Sequence, residues 1–110
     1  MILAIDFDGV IHDDKNPPAG RKMGPPIKGA KEALLSFRDQ RHRIIIFTLR
    51  AVTLGGAAHV RTWLVYFGIP FDDVVGLKPA ADVYIDDKAI TFRDWDETIS
   101  ILQGHPKFTK

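Results

Sequence analysis

The stretch Ile2-Leu3-Ala4-Ile5-Asp6-Phe7-Asp8-Gly9 sets four apolar residues before two carboxylates and a glycine. The apolar run has no polar alternation, which suits a strand buried on both faces, as in a parallel sheet covered by helices. Asp6 and Asp8 stand two apart at its end. Strand side chains alternate, so residues i and i+2 face the same way. Two carboxylates held side by side repel unless a cation lies between them or one is protonated. Gly9 permits a sharp turn out of the strand. Taken alone, the stretch reads equally as a strand end followed by an Asp-Gly turn.

The pattern recurs along the chain. Ile44-Ile45-Ile46-Phe47 ends at Thr48, and Val83-Tyr84-Ile85 ends at Asp86-Asp87. Val74-Val75 reads as a shorter strand. Helical spacing lies between these runs. Ile27, Ala30, Ala33, Leu34 and Phe37 form one stripe, with Pro25 and Pro26 suiting the start of that helix. A second helix is expected from about Ala57 to Phe67, stopped by Gly68 and Pro70. A third is expected from about Trp95 to Leu102. Strands alternating with helices predict an α/β fold: a single doubly wound Rossmann-like domain over 1–110, mostly parallel, with right-handed crossovers. In such sheets ligands bind beyond the carboxyl ends of the strands, where the polar residues closing these runs would gather. The segment 9–26 is rich in Gly, Pro, Asp and Lys. It is too long for a simple connection and reads as a flap over that end.

Composition narrows the classes further. Fifteen basic and fourteen acidic residues leave a net charge of +1, which gives no sign of a nucleic-acid or membrane partner. With no cysteine, disulfides, thiolate zinc sites and cysteine nucleophiles are ruled out. No apolar run approaches the roughly 20 residues that cross a bilayer. A cytoplasmic location is the expectation.

A site built from Asp6, Asp8 and Asp86, filled out by waters, would suit Mg²⁺, which prefers hard oxygen ligands and keeps several waters. Asp87 could ligate directly or hold a coordinated water. A lone Thr48 reads most simply as a local backbone partner, and Lys78 as a solvated loop lysine. With a phosphate in view, Thr48 would donate to a phosphate oxygen. Lys78 would then neutralise its charge and steady a carboxylate.

The four features in this order, Asp6-Phe7-Asp8-Gly9 after a strand, Thr48 after a strand, Lys78 in Leu77-Lys78-Pro79, and Asp86-Asp87 after a strand, resemble the haloacid dehalogenase superfamily from Ile2 to about Trp95. The resemblance implies a Mg²⁺-dependent phosphatase in which Asp6 attacks phosphorus and Asp8 protonates the leaving group, then activates water. It implies catalytic roles for Asp6, Asp8, Thr48 and Lys78, and phosphate contacts at Gly9, Thr48, Leu49, Arg50 and Lys78. The metal would be held by Asp6, Asp8, Asp86 and Asp87, with Asp8 contributing its backbone carbonyl. Dehalogenases of the superfamily lack an acid at the position of Asp8, so Asp8 favours a phosphatase. No stretch has room for a cap domain, so the chain resembles a capless member. Exposed apolar surface around an uncapped site would suit a homo-oligomer.

His12, Arg21, Lys22 and Arg50 would lie near the mouth, where each reads first as a solvated surface residue. Lys88 is a candidate backup phosphate ligand. His42, His59 and His105 read as surface residues without a role. Two alternatives stand beside the phosphatase: a non-catalytic phosphate-binding module on the same fold, and a polynucleotide-end phosphatase. The substrate itself is not legible beyond its phosphate.

Overall fold

A computed structural model describes residues 1–108. Four strands, β1 (Ile2–Asp6), β2 (Arg43–Phe47), β3 (Asp73–Val75) and β4 (Val83–Ile85), form one sheet in the order β3-β2-β1-β4. Every pairing is parallel. Three helices, α1 (Ala30–Asp39), α2 (Gly56–Tyr66) and α3 (Trp95–Gln103), and a short 3₁₀ turn at Leu49–Val52 complete the fold. The architecture is α/β and compatible with a Rossmann-like fold. No described helix is long and apolar enough to cross a membrane.

The main core explains why α1 and α2 sit where they do. Leu3 and Ile5 of β1, Ile44 and Ile46 of β2 and Val74 of β3 are buried together with Ala30 and Leu34 of α1 and Val60, Trp63 and Leu64 of α2. Leu3 pairs with Ile44 and Ile5 with Ile46, so these side chains share one face of the sheet. Both helices therefore cover that face. Ile46 is wholly buried; truncating it to alanine would cost about 2–5 kcal/mol.

Two local expectations are corrected, and the third helix stands where its pattern put it. Helix α1 starts at Ala30, later than the proline pair suggested. Pro26 is engaged in an antiparallel bridge with His12, and the Ile27 N–H donates to the Ile11 carbonyl, so neither residue is free to open the helix. Strand β4 is not buried on both faces: Val83 and Tyr84 are 40% and 41% exposed, because β4 pairs only with β1 and forms an edge. Helix α3 is capped at Asp94, whose side chain accepts from the Glu97 N–H at 2.8 Å. It nevertheless buries only Thr98 and leaves Trp95, Ile99 and Ile101 exposed.

The segment 9–26 divides into two parts. Its base is folded: the N–H groups of Ile11 and His12 both donate to the Phe7 carbonyl, and Asp13 N–H reaches the Pro25 carbonyl at 2.9 Å. Ile11 is fully buried. Only the tip, from Asp14 to Lys22, is exposed throughout.

Candidate active site at the carboxyl ends of the strands

Register brings the first carboxylates together. Ile5 of β1 pairs with Ile85 of β4, so Asp6 and Asp86 follow from paired positions at the same end of the sheet. Asp87 joins them. One carboxylate oxygen from each of Asp6, Asp86 and Asp87 lies within 4.8 Å of the others. Gly9 lies against this cluster at φ +83°, and a Cβ there would overlap Asp87 Oδ2. The left-handed backbone calls for glycine here, and any Cβ would also push the Asp87 carboxylate out of its place in the cluster.

Three carboxylates this close raise the cost of ionising any one of them. Burial pushes the Asp6 carboxyl up to about 6, and the charges of Asp86, Asp87 and Asp8 push the same way. The Phe7 N–H, donating to Asp6 Oδ1 at 2.8 Å, opposes the rise without cancelling it. A divalent cation would relieve the repulsion, and the donors are the hard oxygens that Mg²⁺ prefers. Asp6, Asp86 and Asp87 fit that ion. The side chain of Asp8 does not belong to the group.

Asp8 is turned to other partners. Its Oδ2 accepts from Arg50 Nε at 2.8 Å, and its Oδ1 lies 2.7 Å from His12 Nδ1. Burial raises the Asp8 carboxyl, but the bonds from Arg50 and His12 outweigh it and the net shift is downward. The protonation of His12 follows from its second contact. Gly24 N–H donates to His12 Nε2 at 2.8 Å, so Nε2 carries no proton and the ring holds its proton on Nδ1, aimed at Asp8. His12 is wholly buried, stacked on Phe7 at 5.0 Å and met edge-on by Trp63 at 5.3 Å. The surface readings of His12 and Arg50 are therefore corrected. His12 is interior, and Arg50 is partly buried in an ion pair. The only sequence signal for His12 was its place four residues after Asp8, next to apolar Ile11.

The remaining candidates are distributed unevenly. Thr48 follows β2, is buried, and accepts from the Arg50 N–H at 3.2 Å, as local backbone bonding predicts. Its hydroxyl donates to no acceptor among the described residues. Leu49 is 81% exposed at the start of the 3₁₀ turn. Lys78 makes no ion pair with Asp6; its ammonium lies 4.4 Å from the centre of the Tyr84 ring. Lys88 contacts the cluster through its backbone, the N–H donating to Asp86 Oδ1 at 2.9 Å. Arg21, Lys22 and His59 are exposed and line a cavity that none of the carboxylates borders.

The chain has no match among protein-family models, among curated proteins or among solved structures.

Proposed function

We propose that the chain is a Mg²⁺-dependent phosphohydrolase of the haloacid dehalogenase type, acting on phosphomonoesters through an aspartyl phosphate on Asp6. The observation that carries the reading is the triad of Asp6, Asp86 and Asp87 at the carboxyl ends of adjacent parallel strands. When bound, Mg²⁺ would supply the positive charge that lets an anionic nucleophile approach an anionic phosphate.

The chain's own groups then divide the work. Asp6 attacks phosphorus, a P–O bond to its carboxylate forms, and the bond to the leaving oxygen breaks. Asp8 gives that oxygen a proton, then takes one from the water that attacks the acyl phosphate. The Thr48 hydroxyl has a proton free to donate to a phosphate oxygen. Arg50 has one nitrogen on Asp8, with more donors in its fork. Asp8 can hold a proton only after Arg50 releases it, and a phosphate dianion competes for that guanidinium.

The test is p-nitrophenyl phosphate turnover with and without Mg²⁺. Turnover that requires Mg²⁺ and disappears in Asp6→Asn is expected. An inactive wild type, or an active Asp6→Asn, sinks the reading. One observation favours the second reading, a non-catalytic phosphate-binding module: both oxygens of Asp8 are occupied, which holds it ionised. Stable capture of BeF₃⁻ by the wild type, with no turnover on a broad phosphoester panel, would establish that alternative. For a polynucleotide-end phosphatase, salt-dependent oligonucleotide binding is the corresponding sign.

A further inference from the structure

Helix α2 carries Trp63 and Tyr66, and Phe67 is its C-cap; at positions i, i+3 and i+4 the three rings lie on adjoining parts of the surface. Trp63 belongs to the core, yet Tyr66 is 77% exposed. Its ring meets Phe67 at right angles, 4.8 Å between centres. Facing these rings is the stretch from Pro18 to Pro25. The two walls are tied together: Trp63 Nε1 donates to the Gly24 carbonyl at 3.1 Å, and the Gly24 N–H is bound to buried His12. Gly24 admits no side chain, since a Cβ would overlap the Asp13 carbonyl oxygen. The loop is thereby held off α2 at a set distance.

Between the walls lies a cavity of about 710 Å³. That volume falls in the range of small-molecule sites, about 300–1,000 Å³. Its walls are mainly apolar, with Met23 opposite the rings, and Arg21, Lys22 and His59 also line it. A neighbouring cavity of about 440 Å³ shares Lys22, Met23 and His59 with it and reaches Arg50. Arg50 in turn bonds Asp8 through Nε and contacts Met23 Sδ at 3.5 Å. The two cavities thus adjoin along Lys22, Met23 and His59 as one trough, which runs from Arg50, the ion-pair partner of Asp8, to the aromatic side chains of Trp63, Tyr66 and Phe67.

Resting on the phosphohydrolase reading, we infer that this trough receives the leaving group of the substrate, and that the leaving group ends in a planar aromatic ring, as in a free nucleoside monophosphate. A polyol would lose its water there to walls that return few hydrogen bonds. A nucleobase presents a flat face to Tyr66, and base–aromatic stacking contributes about 1–3 kcal/mol. The cationic side chains along the path suit an anionic ester. The near-balanced net charge of +1, with no dense basic surface to follow a polyanionic strand, favours a free nucleotide over a strand end.

The experiment compares two esters with the same phosphate and sugar, adenosine 5′-monophosphate and ribose 5-phosphate. The expected ratio of their kcat/KM values is about 5- to 150-fold in favour of the nucleotide. Tyr66→Ala should bring that ratio close to one, whereas Val65→Ala, exposed on α2 and outside the trough, should leave it as it is. Equal kcat/KM values in the wild type, or a ratio that Tyr66→Ala does not move, overturns the inference. A 5′-phosphorylated tetranucleotide turned over tenfold faster than the mononucleotide overturns the assignment to a free nucleotide. If no ester is hydrolysed, the phosphohydrolase reading fails by itself, and calorimetry with adenosine 5′-monophosphate decides the trough. Binding weakened by Tyr66→Ala supports it, and absent or unaltered binding rejects it.

Discussion

Removing a negative charge from the carboxylate cluster should stabilise this fold when no divalent cation is present. Asp6→Asn keeps the side-chain oxygen that accepts from the Phe7 N–H and removes the charge that Asp86 and Asp87 oppose. The Asp6 carboxyl rises from 3.8 to about 6. About two pKa units correspond to a ceiling of about 3 kcal/mol between the charged and neutral forms. Asp6 is partly open to solvent, and screening brings the usable figure to about 1 kcal/mol. For a chain of this size that is a rise in Tm of about 4 °C.

The sign with pH follows from linkage. The folded chain binds the Asp6 proton more tightly than the unfolded chain does. That stability is fully present below about 3.8 and is lost as pH rises through about 6. The gain from Asp6→Asn should therefore be visible in EDTA at pH 7.5 and vanish near pH 4. Mg²⁺ should raise the Tm of the wild type and act much less on Asp6→Asn. Thermal melts of both proteins, with EDTA and with Mg²⁺ at the two pH values, make the check. A lower Tm for Asp6→Asn in EDTA at pH 7.5, or an equal response of both proteins to Mg²⁺, would refute the reasoning.

Four further outcomes are expected. Asp8→Asn should lower kcat/KM, which reports the phosphoryl-transfer step alone, by about 10²–10⁴-fold on an alkyl phosphate and by much less on p-nitrophenyl phosphate, whose leaving group scarcely needs a proton; equal losses in kcat/KM on both would remove Asp8 as the acid. The Asp8 carboxyl is held below its usual range, so its contribution to stability should be present above about 3.8 and decline as pH falls below that; Arg50→Gln should shrink this acid-limb decline in a pH series of melts. Gly9→Ala forces a side chain into the space of Asp87, and the Mg²⁺ concentration needed for half of the thermal shift should rise about tenfold. His12→Phe preserves the stack on Phe7 but strands the Gly24 N–H and one Asp8 oxygen; a loss of about 1–3 kcal/mol in denaturant unfolding is expected, with faster amide exchange at Gly24.

Much of the fold was legible because its signals are local. Uninterrupted β-branched runs marked all four strands to within a residue or so, and helical spacing marked α1 and α2. The polar residues closing the runs, Asp6, Thr48 and Asp86, stand at the strand ends where the pattern put them. What failed depended on contacts between distant segments. Pro26 looked like a helix start and became a bridge partner of His12. Val83 and Tyr84 looked buried and lie on an edge, because burial depends on how many strands flank a strand, which its own residues do not record.

The same division runs through the candidate site. By itself the sequence determined which carboxylates end strands and therefore which could meet, since side-chain alternation and strand direction are properties of a few neighbouring residues. Only the tertiary structure decided that β4 lies beside β1, setting Asp86 and Asp87 against Asp6 across about 80 residues of chain. It also decided that the Asp8 carboxylate is bonded to His12 and Arg50 and stands outside the group of three, and that the Lys78 ammonium lies over Tyr84. The physical reason is common to all three. A side chain's partner is set by the path of the whole backbone through space, and no periodicity within a single segment encodes that path.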